Sequence, residues 1–282
     1  MIYFSGDPSV SPRNMAGSTV LPVFTNLEIF SCIMGGHLPR VFTLLPRKWV
    51  AEVFSSGPSY PEYHRAFVSV LAEHKELNPR GKKRVPLYES GTRKSYFTAG
   101  NAPSRNTKGL VPVFRNLPFL EQQRSVIDKF FAKIEHLSMG YIDSKSLAAL
   151  AFSKKVSGYS GYSFADGRQS SIWSSIAFAE NVAMNAHRDD DFFLGVVCVV
   201  QEDALIVDGN DVCQYFCFPD QGKAVALKNG DVLLFNPKEK HCISGRTNVG
   251  KSVVCASLYL KTAVVGGNDN SRTVRDLKRN LA

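Results

Sequence analysis

Apolar positions in the first half of the chain recur at helical spacing. In residues 61–77 and again, more regularly, in residues 118–138, they fall three and four residues apart, which predicts two amphipathic helices. A third helix is predicted from Asp143 or Ser144, either of which suits an N-cap, to about Phe152. These helices precede a region of different periodicity, so we expect a helical layer packed on the outside of a sheet.

From Tyr159 onward the pattern changes to short apolar or alternating segments separated by turns such as 208–211 and 228–231. The predicted strands are Ser171–Phe178, Asn181–His187, Phe193–Gln201, Ala204–Val207, Cys213–Phe218, Ala224–Leu227, Asp231–Asn236, Cys242–Ser244 and Ser252–Lys261. About eight strands at this spacing predict a sandwich or barrel of the jelly-roll type. The fold class is therefore α+β, with N-terminal helices outside a β core.

We divide the chain into a mixed α/β region at 1–158, a β core at 159–265 and a basic tail at 266–282. Within the first part, residues 78–112 are rich in Gly, Pro, Ser, Lys and Arg and are predicted to be weakly structured. Tyr88, Tyr96 and Phe97 lie among their positive charges, a pattern that fits a nucleic-acid contact about as well as an ordinary surface loop.

The composition is that of an ordinary globular protein, with 44% hydrophobic and 21% charged residues in 282. The 34 Lys and Arg against 25 acids give a net charge of +9, which suits a polyanionic partner such as DNA or another nucleic acid, or simply a basic protein. The sequence shows neither a membrane-spanning apolar stretch nor a secretory signal.

Six cysteines without a CxxC pair favour buried, reduced thiols and therefore an intracellular location. The basic cluster at Arg80–Arg84 is a candidate nuclear address or phosphate contact, with a solvated loop as the alternative.

The strongest candidate for chemistry is the pair His187 and Asp189, together with His241 downstream of a Gly-Asp turn and an apolar strand. Residues i and i+2 of a strand point to one face, so His187 and Asp189 can reach the same metal. Two neutral imidazoles and one carboxylate suit ferrous iron and leave three positions open for a cosubstrate and dioxygen. The alternative is a structural His187–Asp189 pair with His241 packed elsewhere. The other four histidines are not expected to be ligands.

The segment from Ile172 to Lys261 resembles the catalytic core of the Fe(II)/2-oxoglutarate-dependent dioxygenases. This resemblance implies a double-stranded β-helix, iron bound by the triad, and 2-oxoglutarate as cosubstrate. It also implies a basic residue on the strand after the distal histidine, which pairs with the far carboxylate of 2-oxoglutarate. Lys251 is the first candidate for this role and Arg246 the second.

Within that superfamily, the motifs 185–192, 216–219 and 241–246 resemble algal proteins that are distantly similar to the TET/JBP nucleobase oxygenases and to an algal 5-methylcytosine-modifying family. The resemblance implies a methylated base in DNA as substrate, with ascorbate as the cosubstrate in the algal modifying family. The TET/JBP cosubstrate arginine corresponds to the neutral Ser257. A prolyl-type protein hydroxylase and a non-catalytic cupin-like binding protein are the alternatives.

Further polar candidates lie close to the triad in sequence. Asn185 shares a strand face with His187 and is a candidate cosubstrate contact, as is Asn236 before the distal loop. Asp190 and Asp191 are candidates for orienting Arg188 or binding a base edge, with solvated charge as the alternative.

Aromatic side chains supply the remaining candidates. Phe192 and Phe193 could line the pocket, with at least one expected in the core. Tyr159, Tyr162, Phe164 and Trp173 are interspersed with glycines and could form a loop that stacks a flipped base, with turn packing as the alternative.

Overall fold

Two antiparallel β-sheets form the centre of the molecule. In this computed structural model the described residues are 42–77, 87–89, 92–94, 97–103, 110–112, 120–142, 144–157, 160–205, 209–261 and 264. The helices are α1 (Arg47–Phe54), α2 (Tyr60–Leu77), α3 (Leu120–Met139) and α4 (Ser144–Ser157). The strands are β1 (Phe42–Leu44), β2 (Leu87–Glu89), β3 (Thr92–Lys94), β4 (Phe97–Pro103), β5 (Leu110–Pro112), β6 (Ser175–Glu180), β7 (Ala183–His187), β8 (Gly195–Gln201), β9 (Val212–Phe218), β10 (Lys223–Lys228), β11 (Val232–Phe235), β12 (His241–Ile243) and β13 (Val253–Tyr259).

The strand order is that of a double-stranded β-helix. The larger sheet runs β1-β11-β8-β13-β6-β4-β5, and the smaller runs β10-β9-β12-β7-β2-β3. From β6 to β13 the chain crosses between sheets at every step except the β9–β10 hairpin, so four core strands lie in each sheet. The predicted α+β fold with a double-stranded β-helix core is confirmed.

The two faces of the larger sheet have different packing partners. On β13, Val253 and Cys255 pack between the sheets, whereas Val254, Ala256 and Leu258 belong to the cluster that the helices cover. This is the period of two expected of a strand buried on both faces.

Helix α2 packs on the outer face of the larger sheet, and α3 packs against α2. Phe67 of α2 lies with its ring centroid 4.6 Å from that of Phe178 on β6 and 5.0 Å from that of Phe130 on α3. At the start of α2, Glu62 accepts hydrogen bonds from the backbone N–H and the hydroxyl of Ser59, which supplies the carboxylate half of a capping box. The predicted helical layer outside the sheet is therefore confirmed.

The predicted strands agree with the observed ones within a few residues, with one exception. Ala204 and Leu205 are not in a strand, and the other half of the predicted segment Ala204–Val207 lies outside the described residues. The turn at 228–231 is present, and Gly230 adopts a φ of 81°, a conformation that favours glycine.

The prediction of weak structure in residues 78–112 is wrong for the described part. β4 pairs with β6, β5 pairs with β4, and the hairpin of β2 and β3 pairs with β7. Phe97, expected in either a nucleic-acid contact or an ordinary surface loop, is buried and contacts the ring of Phe178. Composition missed these strands because their partners are supplied by a sheet formed elsewhere in the chain.

The cysteines among the described residues are all free thiols. Cys198, Cys213, Cys217 and Cys242 are free and buried, as predicted, and Cys255 is free and partly exposed. The basic cluster 80–84 and the tail 266–282 lie outside the described residues. Among the helices of the described ranges, none has the length and hydropathy of a membrane span.

Candidate metal centre

Antiparallel pairing of β7 and β12 places two histidines side by side. His187 ends β7, His241 begins β12, and the two are direct register partners with ring centroids 4.5 Å apart. Asp189 lies two residues beyond β7, and its backbone N–H donates to the carbonyl of Pro237 at 2.9 Å. This hydrogen bond closes the loop over the start of β12, so the carboxylate meets both rings.

Three donor atoms converge at this point. Asp189 Oδ2 lies 3.7 Å from Nε2 of His187 and 3.5 Å from Nε2 of His241, and all three ligand atoms lie within 4.8 Å of one another. The predicted convergence of His187, Asp189 and His241 is present in the structure. The alternative, in which His241 packs elsewhere, is wrong.

Backbone carbonyls fix the orientation of both imidazoles. Nδ1 of His187 lies 2.8 Å from the carbonyl oxygen of Asn185, and Nδ1 of His241 lies 2.8 Å from that of Glu239. Each Nδ1–H therefore donates to a carbonyl, an assignment made from the hydrogen-bond geometry, and each Nε2 lone pair faces the convergence point. This is the arrangement that metal-binding histidines require.

Two aromatic rings pack against His241 on the barrel side of the site. The ring of Phe216 stacks on that of His241 at 5.5 Å and 12°, and Phe235 meets it edge-on at 4.9 Å. His241 is 1% exposed, whereas the Asp189 side chain is 32% exposed. The site is therefore closed on the barrel side and open on the side of Asp189.

The charges at the site oppose the effect of burial. Burial favours the neutral form of Asp189, but the two imidazoles and the Lys261 ammonium outweigh it and lower the pKa of this carboxyl well below its ordinary value. Burial disfavours the imidazolium of His187, but the Asp189 carboxylate and the Asn185 carbonyl outweigh it and raise its pKa. Because protonation of His187 competes with metal binding, metal affinity should fall on acidification.

The donor set fits ferrous iron. Two Nε2 atoms with free lone pairs and one ionised carboxylate form the two-histidine, one-carboxylate set of non-heme Fe(II) oxygenases, in which one face of the metal stays open. Nδ1 hydrogen bonds on both rings complete the outer shell that such sites need. His187, Asp189 and His241 could therefore hold the ion.

Neither predicted carboxylate-binding cation lies beside this triad, which corrects the assignment of Lys251 and Arg246. Lys251 precedes β13 and pairs with Asp203 at 2.7 Å, next to the β8 end that carries Gln201. Arg246 donates to the carbonyl of Lys251 at 3.0 Å. The triad lies at the other end of β13, about 20 Å along a seven-residue strand.

The basic side chain at the triad is Lys261, which sequence reasoning missed. Its Nζ lies 3.6 Å from Asp189 Oδ1 and 2.6 Å from Asp191 Oδ1. The sequence does place Lys261 on the same face of the last strand as Val253 and Cys255, but it does not reveal that this strand ends beside residues 189–191. An isolated antiparallel bridge between Asp191 and Lys261 makes that connection.

The acidic and basic residues near the triad form pairs that differ from those predicted. Arg188 pairs with Asp220, not with Asp190 or Asp191. Asp190 pairs with Lys238 at 3.2 Å in an exposed position.

Asn185 and Asn236 occupy different environments. The side-chain oxygen of Asn185 is buried and has no hydrogen-bond partner among the residues that the structure describes. Asn236 accepts a hydrogen bond from the backbone of Lys238, so it shapes the distal loop.

Of the two possibilities for the aromatic segment, a base-stacking loop and packing within the fold, the described members show packing. Tyr162 and Trp173 are fully buried and Phe164 is nearly so. Tyr162 stacks on Phe131 of α3 at 4.2 Å and donates to Asp128. These rings anchor α3 to the core and cannot stack a base, while Tyr159 lies outside the described residues. Phe193 is buried in the core and Phe192 is partly buried against it, as expected of at least one of them.

Comparison with known proteins gives distant structural similarity. No protein-family model matches the chain, and no curated protein matches it significantly. NgTET1 in complex with 5mC DNA is 13% identical, with 85% of this chain and 79% of that chain covered and a TM-score of 0.46. JOX2 in complex with 2OG, Fe and JA is also 13% identical, with 86% and 76% covered and a TM-score of 0.43. A prolyl hydroxylase from Trichoplax adhaerens, in complex with a peptide fragment of hypoxia inducible factor, is 8% identical, with 88% and 98% covered and a TM-score of 0.40. The assignment of the double-stranded β-helix follows from the strand order itself.

Proposed function

We propose that this chain is a mononuclear Fe(II)- and 2-oxoglutarate-dependent dioxygenase that hydroxylates a substrate C–H bond. The observation that carries the proposal is the convergence of two Nε2 lone pairs and one carboxylate oxygen at the open end of the barrel. A structural His–Asp pair would need only one histidine, and it would not need both Nδ1 atoms tied to carbonyls.

Each part of the site has a role that follows from its placement. His187, Asp189 and His241 would hold the iron, which supplies the oxidising chemistry once cosubstrate and dioxygen are bound. The buried, unpartnered oxygen of Asn185 is available to a polar group of the bound cosubstrate or substrate. Phe216 and Phe235 keep water away from the barrel side of His241.

A second candidate cosubstrate is ascorbate, and one observation favours it. Cys255, Ser257 and Tyr259, which share a face of β13 with Val253, are all neutral. Within the described part of that strand, the far carboxylate of 2-oxoglutarate would therefore find no cation before Lys261. Ascorbate is an enediol lactone that carries no carboxylate, so it needs no such partner.

Release of labelled succinate and carbon dioxide from 2-oxoglutarate tests the proposal directly. The assay needs Fe(II) added under anaerobic conditions, followed by dioxygen, with and without ascorbate. Succinate release that disappears in Asp189→Ala supports 2-oxoglutarate turnover. Ascorbate consumption without succinate release supports the second candidate. If neither reaction occurs, the remaining interpretation is a metal-binding, cupin-like protein without turnover.

A methylated base in DNA is the proposed substrate. The net charge of +9 and the resemblance of the motifs around residues 185–192 and 241–246 support it. Hydroxylation of a protein side chain such as proline is the alternative. Binding to duplexes with and without 5-methylcytosine, measured at several salt concentrations, separates the two, because phosphate contacts release counterions and make affinity fall with added salt. DNA affinity that does not respond to salt would contradict a nucleic-acid substrate.

A further inference from the structure

The two oxygens of Asp189 face different partners. Oδ2 lies 3.7 Å and 3.5 Å from the Nε2 atoms of His187 and His241. Oδ1 lies 3.6 Å from Nζ of Lys261. One oxygen of the carboxylate thus meets the metal-binding imidazoles, while the other meets a fixed positive charge.

Lys261 is held in this position by contacts of its own. Its Nζ lies 2.6 Å from Oδ1 of Asp191, whose side chain is 3% exposed, and 4.9 Å from the ring centroid of Tyr259. The backbone is joined at the same place, since the N–H of Phe192 donates to the carbonyl of Leu260 at 2.7 Å. The ammonium therefore cannot move away from Asp189 without leaving a buried carboxylate unpaired.

The division of the two oxygens matters because a carboxylate can bind a metal through one oxygen or through both. With one oxygen, the triad occupies three positions of a six-coordinate ion and leaves three open. With both, it occupies four and leaves two, which are too few for a bidentate cosubstrate and dioxygen together. Whatever occupies Oδ1 therefore sets the number of positions available for reaction.

We propose that Lys261 is a positioning residue that keeps Asp189 bound to the metal through a single oxygen. The inference rests on the proposed function, because it presupposes a metal at the triad. In this role, Lys261, which follows β13, keeps the third coordination position of the metal open.

The competing role for Lys261 is simply to neutralise Asp191. The double variant D191N/K261M separates the two roles, because it removes the ion pair without leaving an unpaired charge or a spare carboxylate that could bind the metal. If Lys261 serves only Asp191, the metal in this variant should keep its three open positions.

The number of water molecules bound to Mn(II) at the triad measures this directly. It can be counted by electron spin-echo spectroscopy in ¹⁷O-enriched water and does not depend on turnover. Lys238→Met is the matched control, because Lys238 forms an exposed ion pair with Asp190 in the same loop and does not contact Asp189. We expect three waters in the unaltered protein and in K238M, and two in D191N/K261M.

Three waters in the folded double variant would overturn the role of Lys261 and leave the proposed function intact. If D191N/K261M does not fold, the waters bound to Mn(II) are counted in D191N/K261A instead, because that variant also removes both charges. Failure of the unaltered protein to bind Mn(II) at the triad would instead contradict the proposed function, so the two failures are distinguishable.

Discussion

His187 and His241 are direct cross-strand partners, and their ring centroids lie 4.5 Å apart. This relationship fixes the site more firmly than a loop contact would, because the β7–β12 ladder sets the position of both Cα atoms. Asp189, by contrast, is placed by a loop whose backbone N–H reaches Pro237. The two imidazoles therefore belong to the scaffold, and the carboxylate is the ligand that can be replaced at least cost to the fold.

Replacing Asp189 by Ala should abolish turnover and greatly weaken Mn(II) binding while the fold is kept. The side chain is 32% exposed and lies outside the packed core, so its loss leaves no apolar cavity. Metal titration together with circular dichroism checks both parts. Asp190→Ala is the control, since that neighbouring carboxylate is 80% exposed and should bind no metal. Unchanged activity in D189A would refute the metal assignment.

Gly195→Ala should weaken metal binding by displacing the ring of Phe235, which packs against His241. A Cβ at this position would lie 2.7 Å from Cζ of Phe235, the ring that packs edge-on against His241. We expect a loss of about 1–3 kcal/mol in folding free energy, typical of overpacking, together with weaker Mn(II) binding. Chemical denaturation and metal titration measure the two effects. Gly245→Ala, where a Cβ meets nothing within 4 Å, should change neither.

Lys251→Ala should leave the cosubstrate concentration needed for half-maximal rate unchanged. Its ammonium pairs with Asp203 at the end of β13 far from the triad, so it does not reach a molecule bound at His187 and His241. Steady-state titration of 2-oxoglutarate measures this. A large rise in that concentration would restore the sequence-based assignment of Lys251 and contradict the placement of this strand end.

Glu62→Gln should destabilise the protein at neutral pH and have little effect in acid. Hydrogen bonds from the backbone and hydroxyl of Ser59 lower the pKa of the Glu62 carboxyl. The folded pKa is therefore below the unfolded one, so the stabilisation is present above the unfolded pKa and is lost as pH falls through the folded pKa. Thermal unfolding from pH 7 into the acid range measures the difference. The same substitution at the exposed Glu52 of α1 is the matched control.

The sequence predicted those parts of the molecule whose signals are local. The helices predicted from the periodicity of 61–77 and 118–138 are α2 and α3, and the turn at 228–231 lies at its predicted position. The triad could be recognised because His187 and Asp189 lie two residues apart and His241 follows a turn and a strand.

The parts that the sequence did not predict depend on which end of a strand meets which loop. Lys251 and Lys261 both flank the last strand, and the sequence alone does not say which one faces the triad; the bridge from Asp191 to Lys261 does. In the same way, the aromatic content around Tyr162 and Phe97 was compatible with base stacking and with packing or an ordinary loop, and the structure shows that both rings complete the core under the helices. Charge and aromaticity indicate what a residue can do, and only tertiary pairing decides where it can act.

The two sheets have a practical consequence for anyone producing the protein. Strands β1, β4 and β2 cover the outer edges of β11, β6 and β7, and all three come from before residue 158. A shortened protein starting at residue 159 would leave three rows of unpaired amides and carbonyls exposed, and such rows invite self-association. Recombinant production of residues 159–282 alone should therefore yield inclusion bodies, even though all three residues of the triad lie within that segment.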